Sequence, residues 1–127
     1  MMTLGIGLSS RAGTVDVRAA TEAVLAAAGW RWEDIAVIGT ARRLANDPRL
    51  AATGRPVVGF DHAQLASVAV PTPPGPALSR LAVPAVAEAA ALLAAGPGAR
   101  IVVPKQTGRF LTVAAAASAP APFPGAR

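Results

Sequence analysis

The chain of 127 residues has no cysteine and no tyrosine, a single histidine (His62) and a single lysine (Lys105). Without cysteine there is no disulfide framework, no thiolate metal site and no cysteine nucleophile, and one histidine is too few for an ordinary zinc site. Aspartates with one His make a poor metal set, so no metal and no cofactor is expected. The apolar runs are cut by Pro, Gly or charge before membrane-spanning length, and MMTLGIGLSS lacks a basic leader ahead of a long apolar stretch. These absences predict a protein of the cytoplasm with no membrane partner. Aromatics make up 4% of the chain, and Trp30 and Trp32 sit together rather than among basic residues. Single-strand nucleic-acid platforms need aromatics beside cations, so nucleic acid is not the expected partner.

What the chain does have is arginine, at eleven positions, and a net charge of +5. The arginines are scattered from Arg11 to Arg127 and form no block, which suits a small polyanion with several carboxylates, or merely an arginine-rich charge balance. Against that background the lone lysine stands out, because a compact ammonium does different work from a planar guanidinium.

The length fits one domain, read as residues 1–118 with 119–127 as a flexible tail. Thr3–Leu8 reads as a short buried strand followed by a turn through Gly13 into a helix capped by Thr14, Val15–Ala28, ended by Gly29. Ile35–Gly39 and Val57–Phe60 read as further strands. Asp47 before Pro48 opens a short helix closed near Gly54, and Asp61 caps another from His62 to Ser67. The prolines of Val70–Pro76 exclude helix and central strand and predict an exposed loop. Pro84 starts a helix to Ala95, stopped at Gly96, and Ile101–Pro104 and Phe110–Ala116 follow as an antiparallel pair joined by QTGR. Strands alternating with helices predict an α/β fold, a three-layer α/β/α sandwich around a mixed, mainly parallel five-stranded sheet.

In open α/β sheets ligands bind beyond the carboxyl ends of the strands. GIGLSSRAGT lies at such an end. Gly5 and Gly7 would let a ligand approach the backbone, Ser9, Ser10 and Thr14 offer hydroxyls, and Arg11 offers charge. As a dinucleotide fingerprint the stretch fails, since Ser10 stands at the third glycine position. An anion site and a purely structural tight turn both remain open. Glu88 sits about one turn into an almost wholly apolar helix. It reads either as an acid favoured by the helix dipole or as a buried carboxylate that needs a partner, with Lys105 the natural one through a salt bridge or a shared ligand contact. His62 beside Asp61 reads as a surface or capping residue.

The order of motifs resembles the family formed by CobE and the carboxy-terminal domain of CbiG, proteins of cobalamin (vitamin B12) biosynthesis, and most closely its stand-alone CobE form. The resemblance runs through GIG at Gly5–Gly7, AND-P-L at Ala45–Leu50, the strand Val57–Phe60, the proline loop, VAEAAAL at Val86–Leu92, VPK at Val103–Lys105 and TVA at Thr112–Ala114. Its most specific part is the spacing from Glu88 through Lys105 to Thr112. Departures are Leu44 in place of a lysine, with Arg42 and Arg43 just upstream, Pro74 in place of a serine, and Ala82 and Ala85 in place of Gly and Ser. The resemblance implies a corrinoid or precorrin intermediate as ligand, a polycarboxylate macrocycle, held by Arg42, Arg43, Glu88, Lys105 and Thr112 together with the opening loop. It also leaves open a hydrolase-like catalytic role for Glu88 or Lys105, as in cobalt-precorrin-5A hydrolases, or docking on other cobalamin-pathway enzymes through the proline loop.

Overall fold

A computed structural model describes residues 1–68 and 83–118, leaving aside the side chains of 83–85. The expected proline loop at 70–76 and the tail at 119–127 lie outside the described residues. The elements are β1 (Met2–Leu8), α1 (Thr14–Ala28), β2 (Ile35–Ala41), α2 (Pro48–Ala51), β3 (Val57–Phe60), α3 (His62–Ala66), α4 (Val83–Ala95), β4 (Arg100–Gly108) and β5 (Leu111–Ala117). They form one five-stranded sheet in the order β3-β2-β1-β5-β4. β1, β2 and β3 are parallel neighbours, and β5 runs antiparallel to both β1 and β4. β5 alone opposes the other four, so the sheet is mixed and mainly parallel, as the alternation of elements predicted.

Strand pleating sorts β1 into two faces. Leu4, Ile6 and Leu8 join Val17, Val24 and Leu25 of α1 and Val113 and Ala115 of β5 in the main core. The other face meets α4. There the Thr3 hydroxyl donates to the Ala91 carbonyl at 2.8 Å, and a Cβ added to Gly5 would fall 1.8 Å from the Ala87 carbonyl oxygen. Gly39 of β2 is equally crowded, 2.4 Å from the Ala90 oxygen. The helix turns alanines, with Ala87, Ala89, Ala90 and Ala91 all buried, onto strand positions stripped of side chain, so two backbones lie in direct contact. Helices on opposite faces of the sheet give the three layers.

Local chemistry explains the helix ends. Gly13, not Thr14, is the amino-terminal cap of α1. Its backbone is extended and its N–H donates to the Asp16 carboxylate at 2.8 Å, which leaves Thr14 as the first helical residue. At the other end Gly29 adopts φ 75°, and Trp30 N–H returns to the Leu25 carbonyl at 2.9 Å. That left-handed closure is what glycine permits. Asp61 accepts from Gln64 N–H while the Gln64 side chain accepts from Asp61 N–H, a reciprocal cap that accounts for Asp61; His62 next to it is exposed.

β4 departs from expectation. It does not stop at Pro104 but runs to Gly108, with register Ile101 to Ala116, Val103 to Ala115 and Gln106 to Val113. Each step carries one extra residue on β4, so Pro104 and Lys105 lie among two bulges. An edge strand tolerates a proline that a central strand would reject, because its missing donor faces no partner. The connection to β5 then shrinks to Arg109 and Phe110, and Phe110, expected to begin β5, is in the turn.

Candidate functional site

β1, β2 and β3 end together at Leu8, Ala41 and Phe60, and the β4–β5 turn lies at the same end because Leu8 pairs with Leu111. The carboxyl rim is therefore built from residues 9–13, the turn at Arg42–Leu44, Asp61, and Arg109 with Phe110. Ser9 N–H donates to the Phe110 carbonyl at 3.0 Å and ties the first loop to the hairpin. The Ser9 hydroxyl accepts from Arg11 N–H at 3.2 Å, and Ser10, Arg11 and Thr14 are exposed.

Arg49 holds this loop in place. Its Nη1 donates to the carbonyls of Ser9 at 2.9 Å and Ala12 at 2.8 Å, while Nε and Nη2 form a fork on Asp47 at 2.9 and 2.7 Å. Bidentate pairing of this kind is geometrically specific. The two side chains are 20% and 14% exposed, so the pair is largely shielded from water. The hydrogen bonds from Arg49 hold the Asp47 carboxyl below its usual value against desolvation, and the carboxylate raises Arg49 in turn. Sequence reasoning quoted the Asp47–Pro48 stretch and passed over Arg49. The available signal was the cation two places after a capping aspartate, where side chain and cap share one carboxylate.

Phe110 sits at the tip of the rim with φ 64°, the only non-glycine residue at positive φ among those described, and is 37% exposed. A bulky residue there costs about 1–3 kcal/mol in backbone strain. The guanidinium carbons of Arg11 and Arg109 lie 5.3 and 5.5 Å from its ring centroid. Arg42 pairs with Asp61 at 3.6 Å, and the charge of Arg43 acts on Asp47. Five guanidiniums thus gather around this end of the sheet, those of Arg11, Arg42, Arg43, Arg49 and Arg109, against the carboxylates of Asp16, Asp47 and Asp61. Arg109 and Phe110 were not singled out in the sequence, since QTGR read as a plain connection.

The remaining predicted site residues separate from the rim. Glu88 is fully buried, and its carboxylate accepts from the backbone N–H of Lys105 at 2.9 Å. Among the described residues its contact with Lys105 runs through the amide rather than the expected ammonium. The bulges supply the reason: they turn that amide out of the β4–β5 ladder, and a charge-assisted bond from α4 satisfies it. Lys105 is half-buried in the middle of β4, not at a strand end. Gly5 is covered by α4, so its lack of a side chain serves helix packing rather than ligand approach. Gly7 and Thr112 are buried ladder partners. Ser9, Ser10, Arg11, Thr14, Arg42 and Arg43 share the rim region, while Gly5, Gly7, Glu88 and Thr112 lie within the layers.

Residues 2–116 match the family described as Cobalamin synthesis G C-terminus. The chain belongs to this CobE/CbiG carboxy-terminal family. Its fold is shared with CobE, a protein from the cobalamin (vitamin B12) biosynthetic pathway, at TM-score 0.79 and 25% identity over 91% of this chain and 92% of that one. Cobalamin biosynthesis protein chiG from Agrobacterium tumefaciens str. C58 superposes at TM-score 0.70 with 27% identity, covering 94% and 99% of the two chains. A putative cobalamin biosynthesis protein G homolog from Sulfolobus solfataricus shares the fold at TM-score 0.72 and 22% identity, over 91% of this chain and 36% of that longer one. No curated protein sequence matches. Family membership places the chain in cobalamin biosynthesis. Among the described residues no helix is long and apolar enough to cross a membrane, and no three His, Asp or Glu side chains gather as a metal set.

Proposed function

We propose that this member of the CobE/CbiG carboxy-terminal family binds a corrinoid or precorrin intermediate non-covalently at the carboxyl rim, in the cytoplasm, and holds it or passes it to another enzyme of the pathway. The observation that carries this reading is the placing of Arg11 and Arg109 beside the exposed Phe110 ring, with Arg42 and Arg43 farther along the same end of the sheet. A macrocycle fringed with acetate and propionate groups needs separated cations with free N–H edges and an apolar surface between them, and planar guanidiniums supply bidentate geometry for each carboxylate. Glu88, sealed inside and bonded to a backbone amide, supports a binding role over acid–base turnover, which needs a group in reach of the substrate.

The test is a titration of the purified protein with hydrogenobyrinic acid, followed by its visible spectrum and by co-elution of colour on gel filtration. A complex is expected at low salt, with affinity falling roughly tenfold on passing from about 0.05 to 0.5 M salt as exposed charges are screened. Free elution of hydrogenobyrinic acid and of the earlier precorrins at every ionic strength would remove the reading.

A further inference from the structure

Resting on that reading, we infer that Phe110 with Arg11 and Arg109 is a carboxylate clamp, and that the strained backbone at Phe110 is retained to build it. Three independent features lead there. The first is the misplacement of glycine in the turn: Gly108 is not at positive φ, whereas Phe110, two residues on, is. Gly108 is small for another reason, since a Cβ there would fall 3.0 Å from Ala20 of α1. The position that asks for glycine therefore carries a large aromatic, and such outliers gather at functional sites.

The second is that the ring is not held there by burial, being more than a third exposed. It serves instead as a surface on which two cations rest. A guanidinium drawn to the ring by its charge spends no N–H donor on it, so the ring positions two cations at 5.3 and 5.5 Å without consuming the donors a carboxylate needs.

The third is electrostatic. Arg18, Arg42 and Arg49 each have a carboxylate within 4 Å, whereas among the described residues Arg11 and Arg109 have none. Among the described residues the two cations beside Phe110 thus have no carboxylate within ion-pair distance. The Arg49 bonds to Ser9 and Ala12 fix the loop that carries Arg11, so one fork is anchored from behind. The ligand class is a compound with at least two carboxylates on one side of an apolar frame.

The experiment compares the wild type with Phe110→Gly, Phe110→Tyr, Arg11→Gln and Arg109→Gln in urea unfolding and in titration with hydrogenobyrinic acid. Phe110→Gly is expected to unfold at the same or a higher urea concentration, because strain is relieved, yet to bind about tenfold more weakly. Phe110→Tyr, which keeps the ring face, should bind as the wild type does, and the two glutamine variants should each lose affinity. Wild-type affinity in Phe110→Gly overturns the clamp. If the wild type itself binds no corrinoid, the proposed function fails and the clamp is judged with tricarballylate, a ring-free tricarboxylate. Shifts of the Arg11 and Arg109 Nε–H resonances that vanish in Phe110→Gly then uphold it, and unmoved resonances at millimolar tricarballylate overturn it.

Discussion

Gly5→Ala is the substitution on which the account of the layers depends most directly. The added Cβ would stand 1.8 Å from the Ala87 oxygen, 2.6 Å from the Ala91 nitrogen and 2.8 Å from the Ala87 carbonyl carbon, all backbone atoms of α4. Carbon–oxygen contacts begin at roughly 3.3 Å, so the helix has to retreat by about 1.5 Å. That displacement carries two hydrogen bonds out of range, Thr3 to Ala91 at 2.8 Å and Lys105 to Glu88 at 2.9 Å. Overpacking costs about 1–3 kcal/mol. The two bonds add roughly 1 kcal/mol for the neutral one and about 1.5–3 for the charged one. The sum, about 4 kcal/mol or more, is a large part of the ~5–15 kcal/mol that holds a typical domain. Urea unfolding followed by the fluorescence of Trp30 and Trp32 should show the midpoint falling by about 2 M. Gly13→Ala is the control, with φ −100° and its nearest neighbour, an Asp16 carboxylate oxygen, at 3.5 Å; losing glycine's preference at the cap, its midpoint should fall by no more than about 0.5 M. A Gly5→Ala protein as stable as the wild type but unable to bind ligand would refute the packing argument and return Gly5 to the role first read from the sequence.

Arg49→Ala removes the fork on Asp47 and both carbonyl contacts, and should cost about 2–4 kcal/mol in urea unfolding, with faster hydrogen exchange at residues 9–12. Because the folded chain lowers the Asp47 value, the stabilisation is complete above the ordinary aspartate value of 3.8 and is lost as pH falls through the lower folded value. Acid unfolding of Asp47→Asn should accordingly show a shallower dependence on pH than that of the wild type. Glu88→Gln keeps an acceptor for the Lys105 amide and should cost about 1 kcal/mol, whereas Glu88→Ala strands that N–H beside a cavity and should cost about 3 kcal/mol; hydrogen exchange at the Lys105 amide reads the difference. Lys105→Ala retains the amide and should change stability by less than about 0.5 kcal/mol, so a loss comparable to Glu88→Ala would contradict the backbone contact.

The sheet and its helices were legible because Thr3–Leu8, Ile35–Gly39 and the alanine-rich helix carry their periodicity and end signals locally. The link between Glu88 and Lys105 was also legible as a pairing, but not its chemistry, since an amide has no letter of its own in the sequence. Pro104 misled for a related reason: proline marks a missing donor, and only the strand order reveals that β4 is at an edge where the loss is harmless. Gly5 carried two meanings, room for a ligand and room for a helix, and sequence spacing does not choose between them. Phe110 and Arg49 stayed hidden because one depends on a backbone angle and the other on carbonyls about 40 residues away.

The irregularity of β4 bears on how the molecules meet each other. A strand from a second molecule sliding along that border would face Pro104, which offers no N–H, and two places where the spacing of donors and acceptors breaks. Regular templating of strand upon strand cannot propagate from such a border, while the opposite border, β3, presents only four residues. The same distortion that brings the Lys105 amide to Glu88 thereby discourages the sheet from growing into a fibre.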